Sequence, residues 1–205
     1  METMKTSGFD WAVAGAPIPG EKESGDLHLV EPFAHGVLLA VIDGLGHGVP
    51  AAEAARAAAG FMKMNPGESI IRMVLQCDKL LHRTRGVVMS LASINLTDET
   101  LTWLGVGNVD GILFRSNHHS GAHSEFLNAS RGVVGARLPA LRAAVLPIAR
   151  GDTLIFTTDG IRSGFDEGLP INNSPQQVAE RILDRDGLDT DDSLVLVARY
   201  EGTEP

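Results

Sequence analysis

Two Asp-Gly pairs stand at the ends of apolar runs. Asp43-Gly44 closes the run that begins at Gly36, and a glycine-rich stretch with Gly46, His47 and Gly48 follows it. Asp159-Gly160 closes the run that begins at Asp152. Asp26 after Gly25, and the pair Asp191-Asp192 ahead of the apolar run Leu194 to Tyr200, add acidic positions at further strand edges. A single Asp-Gly is a common turn dipeptide. Three of these four positions, however, flank strongly apolar runs, where a turn aspartate needs no such anchoring. If the strands are neighbours, the carboxylates converge, and convergent carboxylates repel unless a cation sits among them.

The donor set defines the cation. Oxygen ligands, with no paired His spacing and no cysteine among them, point to Mg²⁺ or Mn²⁺ rather than Zn²⁺. Two such ions roughly 3.5–4 Å apart can share one carboxylate and a water, and the water becomes a nucleophile near neutral pH. That is phosphoryl-transfer chemistry. The glycine after Asp43 keeps a side chain from crowding the ions and leaves a backbone carbonyl free to act as a ligand.

The elements that must position these groups follow from periodicity. Phe9 to Ala14, Leu27 to Val30 and Val37 to Ile42 read as strands, the last with the continuous apolar run of a strand buried on both faces. From Pro50 to Met64 the period is helical, with Glu53, Arg56, Gly60 and Lys63 on one wet face and mostly alanine elsewhere. Asn65-Pro66-Gly67-Glu68 reads as the N-cap of a second helix, whose buried stripe is Ile70, Ile71, Val74, Cys77 and Leu81. Val87 to Asn95 and Thr100 to Val106 form a hairpin around Asp98-Glu99. Gly111 to Arg115, Glu125 to Leu127, Thr153 to Thr158 and Leu194 to Tyr200 are further strands. A helix with a capping-box start at Ser174 and an apolar face of Val178, Ile182 and Leu183 precedes the last. Strands, two helices, a run of strands, one helix and one strand is not βαβ alternation. It predicts an α+β chain with largely antiparallel sheets covered by helices.

Bulk composition narrows the function. The 205 residues suit one domain spanning 1–205, with 43% hydrophobic and 21% charged residues. The net charge of −9, without a basic block, argues against nucleic acid as a partner. No apolar stretch is long enough to cross a bilayer, and the N-terminus has no signal-peptide pattern, so a cytoplasmic protein is expected. Cys77, the sole cysteine, rules out an intrachain disulfide and reads as a buried thiol. His118, His119 and His123 read as a solvated loop rather than a metal trap.

Taken in order, Asp43-Gly44-Leu45-Gly46-His47-Gly48, Gly105 to Asn108, Gly151-Asp152 leading to Asp159-Gly160, and Asp191-Asp192 resemble the motifs of the metal-dependent protein serine/threonine phosphatases. The set looks most like their bacterial SpoIIE-type branch, and within it like the compact feedback phosphatases of the stressosome. The resemblance implies a central β-sandwich flanked by helix pairs. It implies Asp43 bridging two Mn²⁺ or Mg²⁺ ions, the Gly44 carbonyl on one, Asp159 and Asp191 completing one shell, and Asp26 reaching the other ion directly or through water. It implies attack on phosphoserine or phosphothreonine by a metal-bridging hydroxide, with Asp43, Asp159 and Asp191 as the catalytic set. Substrates would be phosphorylated STAS-domain proteins, the outcome a damped stress response, and the enzyme a monomer.

The sequence also departs from that pattern. Leu194 stands where the family usually has Thr, which leaves Asp191 and Asp192 as alternative ligands, with Asp191 favoured. It also motivates a second reading, a catalytically weak phosphatase-like module that binds a phosphorylated partner. The phosphate-binding arginine of the eukaryotic branch has no counterpart near Asp26, so the metals are expected to hold the substrate phosphate. His47 is read either as a proton donor or as a supporting residue, and Asn108 as a loop-stabilising one. Arg131, Arg137, Arg142 and Arg150 form either a docking surface for an acidic phosphoprotein or an ordinary solvated loop.

Overall fold

The computed structural model describes residues 2–6, 8–116 and 124–202. The His118, His119 and His123 tract therefore lies outside the described residues. Among the described residues eleven strands and three helices follow one another as β1 (Glu2–Thr6), β2 (Phe9–Ala16), β3 (Asp26–Phe33), β4 (Gly36–Gly44), α1 (Val49–Met64), α2 (Ile70–Leu81), β5 (Val87–Asn95), β6 (Thr100–Val106), β7 (Asp110–Phe114), β8 (Ser124–Leu127), β9 (Ala144–Pro147), β10 (Thr153–Thr157), α3 (Pro175–Asp186) and β11 (Ser193–Tyr200).

The strands form two antiparallel sheets, in the orders β1-β2-β11-β10-β7-β8 and β3-β4-β5-β6-β9. The expected sandwich is present. Alternation along β4 shows how it is held. Val37, Leu39 and Val41 face the opposing sheet and meet Phe9, Trp103, Phe156 and Tyr200 in the central core. Leu38, Ala40 and Ile42 face the other way, onto α1 and α2. Both faces are dry, which is why the run is apolar at every position. On the far side of the sandwich Val195 and Val197 of β11 pack on Val178 and Ile182 of α3.

Three details differ from the sequence reading. The helices are a pair on one face and a single helix, α3, on the other. Asn65 ends α1 rather than opening α2; its side chain donates to the Phe61 carbonyl at 2.9 Å, and Ser69 is the N-cap of α2. Met73 lies in the buried stripe of α2, whereas Ile71 is exposed. The capping box of α3 is present as expected between Ser174 and Gln177. Two elements went unread in the sequence: β1, and β9 within the stretch taken for a loop. No helix of the described residues is long and apolar enough to cross a membrane.

Candidate metal centre

β3 and β4 deliver the first two carboxylates. Asp26 and Asp43 are direct register partners on these adjacent strands. The Gly44 N–H donates to the Gly25 carbonyl at 3.1 Å and locks the pair of strand ends together. Gly44 is required for a reason the sequence did not show. A Cβ there would collide with the Ala51 carbonyl oxygen in the first turn of α1, so the glycine seats the alanine-rich helix on the strand end. The two remaining carboxylates come from the other sheet. Asp159 follows β10, and Asp191 precedes β11, its neighbour in that sheet. Gly160 is held under this second pair: a Cβ would collide with the Asp192 carbonyl oxygen, and the Ser193 hydroxyl donates to the Gly160 carbonyl at 2.9 Å.

Asp43, Asp159 and Asp191 line one open cleft of about 460 Å³. Asp26 is buried behind them, only 5% exposed, and accepts a 2.7 Å hydrogen bond from the Thr158 hydroxyl. Burial, followed by repulsion from Asp26, Asp159, Asp191 and Asp192, pushes the Asp43 carboxyl up to about 8. Burial also raises Asp26 to about 7, against the opposing pull of the Thr158 hydrogen bond. Asp159 is raised as well, by partial burial and then by Asp191, while the Asn108 amide, which donates at 2.6 Å, opposes the rise. The cleft thus gathers negative charge and supplies little to balance it.

Asp191 and Asp192, alternatives in the sequence, separate cleanly. The buried Asp192 carboxylate accepts from the Ile18 N–H at 2.8 Å and the Gly25 N–H at 2.7 Å, and so ties the loop before β3 to the start of β11. Asp191 lines the cleft and keeps its carboxylate for it, apart from one oxygen accepting from the Asp192 N–H at 2.9 Å. His47 is exposed and pairs with Glu21 at 3.0 Å; it does not line the cleft. Asn108 is more than a loop brace, since it touches Asp159. Arg131 lines the cleft, whereas Arg150 lies at the opposite end of β10 and cannot share a docking rim with it. The contribution of Thr158 was also missed; the signal was its place directly before Asp159.

The residues fit a hard divalent cation. The acidic side chains of the cleft are carboxylates, burial and then mutual repulsion lift Asp43 and Asp26 far above the usual range, and Asn108 already orients Asp159. Among the described residues no group of three or more His, Cys, Asp or Glu side chains is already drawn together as a metal-holding cluster. Carboxylate oxygens suit Mg²⁺ and Mn²⁺, which retain water ligands. Asp43, Asp159, Asp191, Asp26 and the Gly44 carbonyl are the candidate ligands.

Two antiparallel sheets with helices outside them, and acidic strand ends meeting at one edge, define the PP2C-type phosphatase fold. The chain belongs to the family described as Stage II sporulation protein E (SpoIIE), whose model matches residues 34–201. It is 25% identical over 157 residues to the phosphoserine phosphatase RsbX of Bacillus subtilis (strain 168), covering 74% of this chain and 77% of that protein. A structure from work on the bacterial stressosome as a modular system superposes with a TM-score of 0.84 at 26% identity, over 93% of this chain and 99% of the other. A crystal structure of RsbX in complex with magnesium superposes with a TM-score of 0.85 at 19% identity, over 97% and 98% of the two chains, and shows the likeness of fold.

Proposed function

We propose that this chain is a metal-dependent phosphoserine/phosphothreonine protein phosphatase that holds two Mn²⁺ or Mg²⁺ ions on Asp43, Asp159, Asp191, Asp26 and the Gly44 carbonyl. The single observation that carries this reading is the cleft shared by Asp43, Asp159 and Asp191, with Asp26 behind them and, among the described residues, no ion pair to any of the four. Bound divalent ions supply Lewis acidity toward phosphoryl oxygens and lower the pKa of the water they hold. The chain supplies placement. Register pairing fixes Asp26 beside Asp43, the Thr158 hydroxyl fixes the Asp26 carboxylate, and Asn108 fixes that of Asp159. Held this way, the ligand oxygens need little rearrangement when charge develops at phosphorus.

The likeness to RsbX and to a stressosome structure supports phosphorylated STAS-domain proteins as substrates and the damping of a stress signal as the outcome. Residues 1–205 act as one domain, as a cytoplasmic monomer. Leu194 does not favour the binding-only alternative: its side chain is buried in the sandwich core and does not line the cleft. The test is Mn²⁺-dependent phosphate release from a phosphoserine protein. Asp43→Asn should lower kcat/KM by at least about 100-fold, roughly 2.7 kcal/mol of lost transition-state stabilisation. Activity in that variant equal to wild type rejects the mechanism.

A further inference from the structure

A phosphate ester is itself an anion, and the cleft is lined with carboxylates. The substrate therefore needs positive charge on the rim as well as on the floor. Two arginines are placed to give it. Arg131 lines the cleft together with Asp43, Asp159 and Asp191. Arg85 lies over Gly46, another lining residue: a Cβ on Gly46 would collide with the Arg85 guanidinium nitrogen Nη1. Gly46 also has φ +84, a backbone conformation that favours glycine.

Both arginines spring from anchored backbone. Ser130, just before Arg131, is clamped to β6 and its exit, donating to the Gly105 carbonyl and accepting from the Gly107 N–H, each at 2.9 Å. Gly86, just after Arg85, accepts from the Leu45 N–H at 3.1 Å, and Val87 exchanges backbone hydrogen bonds of 3.0 and 2.9 Å with Val134. The two segments are thus stitched to each other beside the cleft. Two other arginines are committed to structural networks. Arg115 pairs with Asp152 and Glu125, and Arg199 is bound to Thr153 and to the carbonyls of Ile171 and Asn173. Among the described residues neither Arg85 nor Arg131 has a hydrogen-bond or ion-pair partner, and both are exposed.

We propose that Arg85 and Arg131 form a guanidinium clamp that holds the phosphoryl oxygens of the substrate against the acidic floor. This rests on the phosphatase reading and deepens it. A planar guanidinium presents paired N–H donors that match phosphate geometry. The clamp reads the phosphoryl group, which every substrate shares, and not the protein that carries it.

Arg85→Ala, Arg131→Ala, the double variant and Arg131→Lys are compared with the unaltered chain, all in Mn²⁺. Steady-state kinetics use an aryl phosphate and a phosphoserine protein. Calorimetry follows Mn²⁺ and inorganic phosphate separately. The double variant should raise KM at least about tenfold for both substrates and weaken phosphate binding equally, while Mn²⁺ affinity stays within about twofold. Arg131→Lys should recover only part of the Arg131→Ala loss. A rise in KM confined to the phosphoprotein would overturn the clamp, because the arginines would then be reading the protein. Unchanged phosphate binding, or a parallel loss of Mn²⁺, would overturn it too. If the unaltered chain hydrolyses nothing, the phosphatase reading fails. Phosphate binding then still decides the clamp: loss in the double variant supports it, and no binding by the unaltered chain overturns it.

Discussion

The two ends of β10 each carry an aspartate, and the protein treats them in opposite ways. At the N-terminal end Asp152 is 2% exposed and saturated. It accepts from Arg115 Nη1 at 2.9 Å, the Ser116 N–H at 2.8 Å, the Ser116 hydroxyl at 3.1 Å and the Ala149 N–H at 3.1 Å. At the C-terminal end the exposed Asp159 accepts from Asn108 and is repelled by Asp191 and Asp110. A carboxylate crowded by like charges is costly even when it is partly exposed. The fold pairs a guanidinium with the carboxylate that has a structural task, whereas among the described residues the carboxylates of the other end have no ion pair, although Arg131 lines their cleft. That contrast distinguishes a neutralised charge from a charge kept for a ligand.

The contrast can be broken most forcefully at the saturated end. Asp152→Ala leaves Arg115 in a half-dismantled network and should cost about 3–5 kcal/mol in urea unfolding, with Mn²⁺ affinity unchanged. A loss of metal binding there would show that the two ends are not independent. Next comes the neighbouring pair. Asp192→Asn weakens two charge-assisted bonds to backbone donors and should cost about 2–3 kcal/mol. Asp191→Asn should leave stability within about 0.5 kcal/mol and remove activity. The reverse outcome would assign the ligand role to Asp192.

The crowding at the open end also sets the pH dependence of the metal-free protein. Asp26 and Asp43 rise from 3.8 to about 7 and about 8 on folding. Between pH 4 and 8 the folded chain therefore holds protons that the unfolded chain has released, so stability falls as pH rises through that window. The melting temperature in a chelator should drop by roughly 10 °C or more between pH 5.5 and 8.5, and by less in Asp43→Asn. A flat profile would contradict the charge crowding.

Much of this was legible in the sequence, because strands with two buried faces and strand-end carboxylates leave strong local marks. Val87–Asn95 and Thr100–Val106 match their predicted bounds residue for residue. What escaped depends on contacts remote in the chain. Asp191 and Asp192 are chemically identical, and only the N–H groups of Ile18 and Gly25 tell them apart. Gly44 could not be assigned to helix packing without knowing where Ala51 lands. β9 is only four residues long, an edge strand whose alternation is lost among arginines and prolines. Arg131 looked like one of several loop charges until β6 and β7 carried its segment to the cleft.

The central claim is that the acidic cleft is kept for a divalent cation. Mn²⁺ is titrated calorimetrically into the metal-free protein at pH 7, in two buffers that differ in ionisation enthalpy. Saturable binding with net release of about one proton or more is expected, because the ion displaces protons from carboxyls raised to about 7 and 8. Asp43→Asn should abolish most of that heat. Binding by Asp43→Asn that equals wild type, or no saturable binding by the wild type, would contradict the account.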